Sequence, residues 1–215
     1  MNIQILISKN SWAGRYKKDL KKAFSKYTKK ILFFDDHKKL KKNFCINIIF
    51  SYFKIIDAKY LKRSKHNLIL HESDLPKGRG MSPLSWQILK GKTQVTFSLL
   101  EADKKIDNGE IYFKNKVKIK KDLLFRDIKE LQLMVNISLV EKFLKYFKKF
   151  GKKPKSYRQK GQATFFNKRT PKDSRLNPNK SLKSQFNLMR ICDYEKYPMY
   201  FLIKGKKFKL KLEKA

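Results

Sequence analysis

Between His71 and Lys92 the chain reads HESDLPKGRGMSPLSWQILKGK: one histidine, the acids Glu72 and Asp74, and glycines at 78, 80 and 91, running into an apolar, helix-like segment. Strands and helices have no use for that mixture; a loop that positions chemistry does. Histidine changes charge near neutral pH, so proton transfer and charge stabilisation are the work it would do there. Pro76 and the glycines at 78 and 80 let the backbone turn tightly and approach a ligand closely.

The elements that must carry this loop are legible on both sides of it. The runs IQILIS (3–8), KILFFD (30–35), FCINIIFSY (44–52) and HNLILH (66–71) read as strands, and 17–27 has helical spacing of Leu20, Ala23, Phe24 and Tyr27. KIIDAKYLKR reads as a short helix, and LSWQILKG as a helix closed by Gly91. Residues 94–102 and 109–119 read as two more strands around the loop DKKIDN, and 122–150 as one long helix closed by Gly151. Alternating strands and helices predict an α/β fold with a parallel or mixed sheet and helices on both faces. Ligands of such sheets bind beyond the carboxyl ends of the strands, the edge to which HNLIL delivers His71. Composition shifts at 151–180, which is rich in Gly, Pro and Lys and reads as a linker or extended arm. Residues 181–215 predict a helix capped by Ser181 and a hairpin about Lys204-Gly205, a small C-terminal α+β subdomain.

Composition limits the function classes. With 41% hydrophobic residues the 215-residue chain can bury a core, which excludes a disordered chain despite its charge. No apolar run approaches about 18 residues, so no membrane span or membrane partner is expected. The start MNIQILISKN lacks the pattern of a signal peptide, so a cytoplasmic location is expected. Cys45 and Cys192 lie far apart in apolar contexts and read as buried free thiols, with no metal site. The net charge of +36 suits a phosphate-bearing ligand or RNA, yet only eight of the 54 basic residues are arginine, the residue best shaped for bidentate phosphate and base contacts. Lys, Ile, Asn, Phe and Tyr share AT-rich codons, and that bias is enough to supply most of the lysine with no selection for binding, while a phosphate-bearing ligand or an RNA still suits the surface.

The run HESDLPKGRGMSPLSWQILKG followed by TQVTFSLLEADKKIDNGEIYF resembles the signature of the 10-formyltetrahydrofolate-dependent formyltransferases. His71, Ser73, Leu75, Pro76, Arg79, Gly80, Pro83, Trp86, Gly91, Val95, Thr96, Asp107 and Gly109 carry the resemblance, together with the 36-residue separation of His71 and Asp107 (107 − 71). It implies a Rossmann-like core with a central mixed, mostly parallel sheet over 1–150. It also implies 10-formyltetrahydrofolate as formyl donor, without a metal, and His71 and Asp107 as the catalytic pair. An amine attacking the formyl carbon creates an oxyanion that needs a preorganised donor, while Asp107 orients His71 and helps remove the proton of the amine. The family's asparagine belongs two residues before the histidine, where this chain has Ile69. Asn67 lies on the same strand face about 7 Å further back and is the third catalytic candidate. By position, Ser51, Tyr52, Ile55 and the 101–107 loop, with Asp103, are the folate-binding candidates. Ser73, Lys77, Arg79 and Gly80 are the acceptor-binding ones.

For the acceptor, the loop variant and the short tail resemble bacterial nucleotide-sugar N-formyltransferases, particularly of the pseudaminic acid pathway type. A nucleotide-linked amino sugar follows as substrate, such as a UDP-linked 4-amino-4,6-dideoxy sugar for surface glycan or nonulosonic acid synthesis. The core also resembles the catalytic domain of methionyl-tRNA formyltransferase, and a basic RNA-binding module on the same fold is the non-enzyme alternative. The aromatic residues of the tail are expected to stack on a base or seal a homodimer contact, with no part in bond making.

Overall fold

The computed structural model describes residues 1–214. Six strands form the central sheet: β1 (Ile3–Leu6), β2 (Ile31–Phe34), β3 (Phe44–Ile49), β4 (Ser64–His71), β6 (Gln94–Glu101) and β7 (Ile111–Lys118). Their order is β2-β1-β3-β4-β6-β7, with β1 to β4 parallel and β6 and β7 each antiparallel to its neighbour. The helices are α1 (Lys17–Ser25), α2 (Ala58–Leu61), α3 (Pro83–Leu89), α4 (Phe125–Phe150) and α5 (Leu182–Met189). The two-residue strands β5 (Arg79–Gly80) and β8 (Phe165–Phe166) pair with each other, and β9 (Met199–Ile203) and β10 (Lys206–Leu210) form the C-terminal hairpin.

Strand alternation sorts the side chains onto two unlike faces. Ile5, Ile48, Leu68, Leu70, Phe97 and Leu99 face the main core under α1, α3 and α4. Leu6, Ile49 and Ile69 face the opposite side, where α2 and turns cover a smaller cluster. That second face carries polar groups close to the strands: Gln4 Nε2 donates to Ser64 Oγ at 2.8 Å and Asn47 Nδ2 to Asn67 Oδ1 at 3.1 Å. The long helix begins at Phe125, with the Asp127 carboxylate accepting from Leu124 N–H at 3.0 Å, and ends where Gly151 turns left-handed at φ 67°. The three residues before it, which sequence reading assigned to the helix, are turn and coil because the capping acid is Asp127 and not Asp122.

The segment after the long helix is extended, as its composition indicates, and it is tied down along its length. Tyr157 exchanges two backbone hydrogen bonds with Ile111, and Arg79 N–H donates to Thr164 O at 2.8 Å. The C-terminal segment has a small cluster of its own, Leu176, Met189, Cys192 and Met199, while Ile191 belongs to the main core. Arg190 donates from Nε and Nη2 to the carbonyls of Leu123 and Lys120, fastening the end of α5 to the segment that leads into α4.

Candidate active site

His71 is the last residue of β4, at the carboxyl edge of the sheet, and is 5% exposed. The loop carrying Asp107 leaves β6 beside Leu68, short of His71, and must fold back along the sheet edge to reach it. Gly109 makes the fold-back possible: a Cβ there would sit 1.7 Å from the carbonyl oxygen of Glu101. Asp107 itself adopts the left-handed conformation at φ 49°, which aspartate tolerates better than most residues. Its Oδ2 accepts from Gly80 N–H at 2.9 Å and lies 3.5 Å from His71 Nδ1. On the far side of the ring His71 Nε2 is 2.7 Å from Gly78 O, an arrangement in which Nε2–H donates to the carbonyl.

Both groups open onto a cavity of about 470 Å³, the size of a small-molecule site. Its lining residues divide into two arms, one on each face of the sheet. One runs over the thinly covered face past Ile49, Ser51, Tyr52 and Ile69; the other runs over the α4 face past Trp12, Glu72, Phe125, Lys129 and Gln132, and its outer wall is Arg169, Ile191, Asp193, Lys196 and Tyr197. The C-terminal segment thus builds part of the cavity wall.

The sequence-derived candidates divide. His71, Asp107, Gly80, Ser51 and Tyr52 line the cavity. Ser51 is left-handed at φ 52°, and Tyr52 is fixed by its hydroxyl, which accepts from His37 N–H at 3.1 Å and lies 2.7 Å from His37 Nδ1. Burial pushes the Tyr52 phenol up from its ordinary value. Asn67 is not brought to the cavity: its amide donates to Leu61 O at 3.0 Å and its oxygen accepts from Asn47, so both ends are spent on packing α2 and β3. Ile55 is 69% exposed. Asp103 turns outward to Lys104 N–H and Asn108, which hold its carboxyl below the usual range. Ser73 is buried beneath the loop with its Oγ unpartnered, and Lys77 is exposed on the outside of it. Arg79 faces the extended segment, where Gln159 Oε1 accepts from its Nη2 at 2.7 Å and its Nε at 3.3 Å.

Gln159 is the residue that sequence reading missed. Its Nε2 donates to Asp107 O at 2.7 Å and Gly109 O at 2.9 Å, so one side chain joins the Arg79 loop to the Asp107 loop. Gly80 approaches the same segment so closely that a Cβ would meet Phe166 O at 2.4 Å, and Gly78 N–H donates to Thr164 Oγ1 at 2.8 Å. A lone glutamine in a polar stretch gives no signal of this in the sequence. Gln159→Ala is expected to lower kcat by about 10–100-fold through misplacement of Asp107, with both KM values little changed. Gln159→Glu should rescue nothing, since it keeps the acceptor for Arg79 but sets a carboxylate against two carbonyls. Steady-state kinetics with each substrate varied checks both.

Asn67→Ala, by contrast, should act on stability alone. It leaves Leu61 O and the Asn47 amide unpaired, expected to cost about 1–3 kcal/mol in urea unfolding, with kcat within about twofold of wild type.

Lys129 gives a pH signature. Burial outweighs the attraction of Glu72 and Asp193 and pushes its ammonium down to about 8. A lysine depressed by folding carries a cost that is fully present below that value and is relieved as pH rises towards the unfolded value near 10.5. Lys129→Met should therefore raise Tm at pH 7 by about 2–4 °C, and the gain should fade between pH 8 and 10 in paired melting curves.

Comparison with known proteins decides the family: the formyl transferase model matches residues 2–134, more than half of the chain. The chain belongs to the formyl transferase family. Methionyl-tRNA formyltransferase of Thermodesulfovibrio yellowstonii is 29% identical over 144 residues, covering 66% of this chain and 46% of that protein. The chain thus spans about half the length, or less, of the curated relatives it matches. Among solved structures of the same fold, methionyl-tRNA formyltransferase from Clostridium thermocellum superposes with a TM-score of 0.78 at 20% identity, over 97% of this chain and 91% of that one. WlaRD, a sugar 3N-formyltransferase studied in the presence of dTDP and 5-N-formyl-THF, gives 0.68 at 18% identity, over 96% of this chain and 84% of that one. The loop from His71 to Gly80 and the Asp107–Gly109 turn lie within the matched segment, as the resemblance of their sequences to the family indicated.

Proposed function

We propose that this chain transfers a formyl group from 10-formyltetrahydrofolate to the amino group of a nucleotide-linked amino sugar. The observation that carries the reading is that the cavity at His71 and Asp107 is lined from both faces of the sheet, because group transfer needs two substrates delivered to one point. The arm past Ile49, Tyr52 and Ile69 is largely apolar, and the left-handed turn at Ser51 lies at its wall. That combination fits the fused ring system of a folate. When bound there, the donor supplies an electrophilic formyl carbon. His71 and Asp107 then hold and pass the proton that the amine must shed, on Nδ1 and Oδ2.

The other arm favours a sugar over a methionyl ester. Glu72, Lys129, Gln132, Arg169, Asp193 and Lys196 line it beside Trp12, Phe125, Ile191 and Tyr197, so charged and hydrogen-bonding groups stand among aromatic and apolar ones. An apolar methionine side chain would strip water from these groups without replacing their hydrogen bonds, whereas hydroxyls and phosphates replace them. The methionyl-tRNA reading keeps one observation in its favour, the net charge of +36 together with sequence relatives of that activity. Incubation with the formyl donor and either a panel of nucleotide-linked 3-amino and 4-amino sugars or methionyl-tRNA, read by mass, separates the two. A gain of one formyl group on a sugar supports the proposal; formylation of methionyl-tRNA alone overturns it.

A further inference from the structure

Glu72 follows His71 directly in sequence, yet alternation sends it to the other face of the sheet, toward α4. It is 8% exposed. Its Oε1 accepts from Gln132 Nε2 at 2.8 Å and from Asn136 Nδ2 at 3.1 Å, and Gln132 Oε1 accepts in turn from Lys129 Nζ at 2.8 Å. Residues 129, 132 and 136 form one stripe of α4, so a single helix face presents the network. Among the described residues no lysine or arginine lies within ion-pairing distance of Glu72, and no donor reaches its Oε2, although the residue lines the cavity beside His71. A buried carboxylate is costly unless it is paired and hydrogen-bonded. Here one oxygen is held rigidly by two amides and the other is left for whatever enters the acceptor arm.

We infer that Glu72 is the specificity-determining residue for the acceptor amine: its Oε2 takes an N–H of the amino group to be formylated and holds the nitrogen beside His71. The inference rests on the nucleotide-sugar reading and adds to it the group that tells an amine from a hydroxyl. An ionised carboxylate only accepts hydrogen bonds, so a hydroxyl offers it one proton where an ammonium offers up to three, with charge.

Calorimetric titration with tetrahydrofolate present tests this, using a UDP-linked 4-amino-4,6-dideoxyglucose and its 4-hydroxy counterpart as probes. Wild type should bind the amine at least about 10-fold more tightly. Glu72→Gln keeps the volume and can still accept from Gln132 and Asn136; it should abolish that preference while binding tetrahydrofolate as wild type does. In turnover the same variant should raise the acceptor KM about 10-fold or more, with the donor KM unchanged. Glu130→Gln, which removes a carboxylate from the exposed side of the same helix where it pairs with Arg126, should keep the preference and serves as the second variant. Equal binding of the two sugars by wild type overturns the inference and spares the functional reading. An undiminished preference in a folded Glu72→Gln also overturns it. Binding of neither sugar, with formylation of methionyl-tRNA alone, overturns the functional reading, and the inference falls with it.

Discussion

His71→Ala should lower kcat for formyl transfer by about 100-fold or more while the chain stays folded. The imidazole stands at the junction of both cavity arms and bridges Gly78 O and the Asp107 carboxylate, so its loss removes the group that holds the proton and the contact that fixes the loop. Asp107→Asn should cost about as much. It keeps an oxygen for Gly80 N–H but gives up the charge beside Nδ1. Because the two act as a unit, the double variant should lose little beyond either single one. Rapid-quench measurement of a single turnover reads the chemical step directly. Near-normal rates in either variant would sink the assignment. Circular dichroism should be indistinguishable among the four proteins, since His71 belongs to none of the apolar clusters.

Truncation after Gly161 is expected to be as severe, by a different route. From sequence the tail was expected to matter for acceptor binding or assembly alone. The structure gives it two further duties. Thr164 and Phe166 complete the backbone pairing of the loop that follows His71, with Arg79 N–H donating to Thr164 O at 2.8 Å and Met81 N–H to Phe166 O at 3.0 Å. Ile191 is 3% exposed within the main core. Removing both should lower kcat/KM by about 100-fold or more and Tm by at least about 5 °C. Turnover assays and thermal melts of the purified truncation decide the matter. A stable product with a normal kcat and only a raised acceptor KM would show that the strap over Gly80 is dispensable.

The sheet was readable in the sequence because four of its strands are unbroken apolar runs, and β-branched residues bounded by polar turns leave little choice of element. That His71 and Asp107 meet at one cavity was readable because a glycine-rich loop and an Asp-Asn-Gly turn each need unusual backbone, and such backbone is announced by residue type. Asn67 misled because a strand face shows which side a residue takes but not which neighbour claims it; α2 supplies the carbonyl of Leu61, and no local pattern signals that. Ile55 failed because it lies beyond the apolar part of its turn and points to water. Gln159 and Glu72 were illegible for a third reason. Their roles consist of hydrogen bonds to residues 52 and 60 positions away, and periodicity carries no information about such distances.

The contact between Gly78 and Thr164 spans 86 residues of chain. During synthesis at about 5–20 residues per second, the sheet, His71 and Asp107 leave the ribosome seconds before the strand that braces them. A nascent chain therefore possesses both His71 and Asp107 for a time without the strand that braces their loop. Order in this loop therefore arrives as a late event in the life of the molecule, with the strand that braces it.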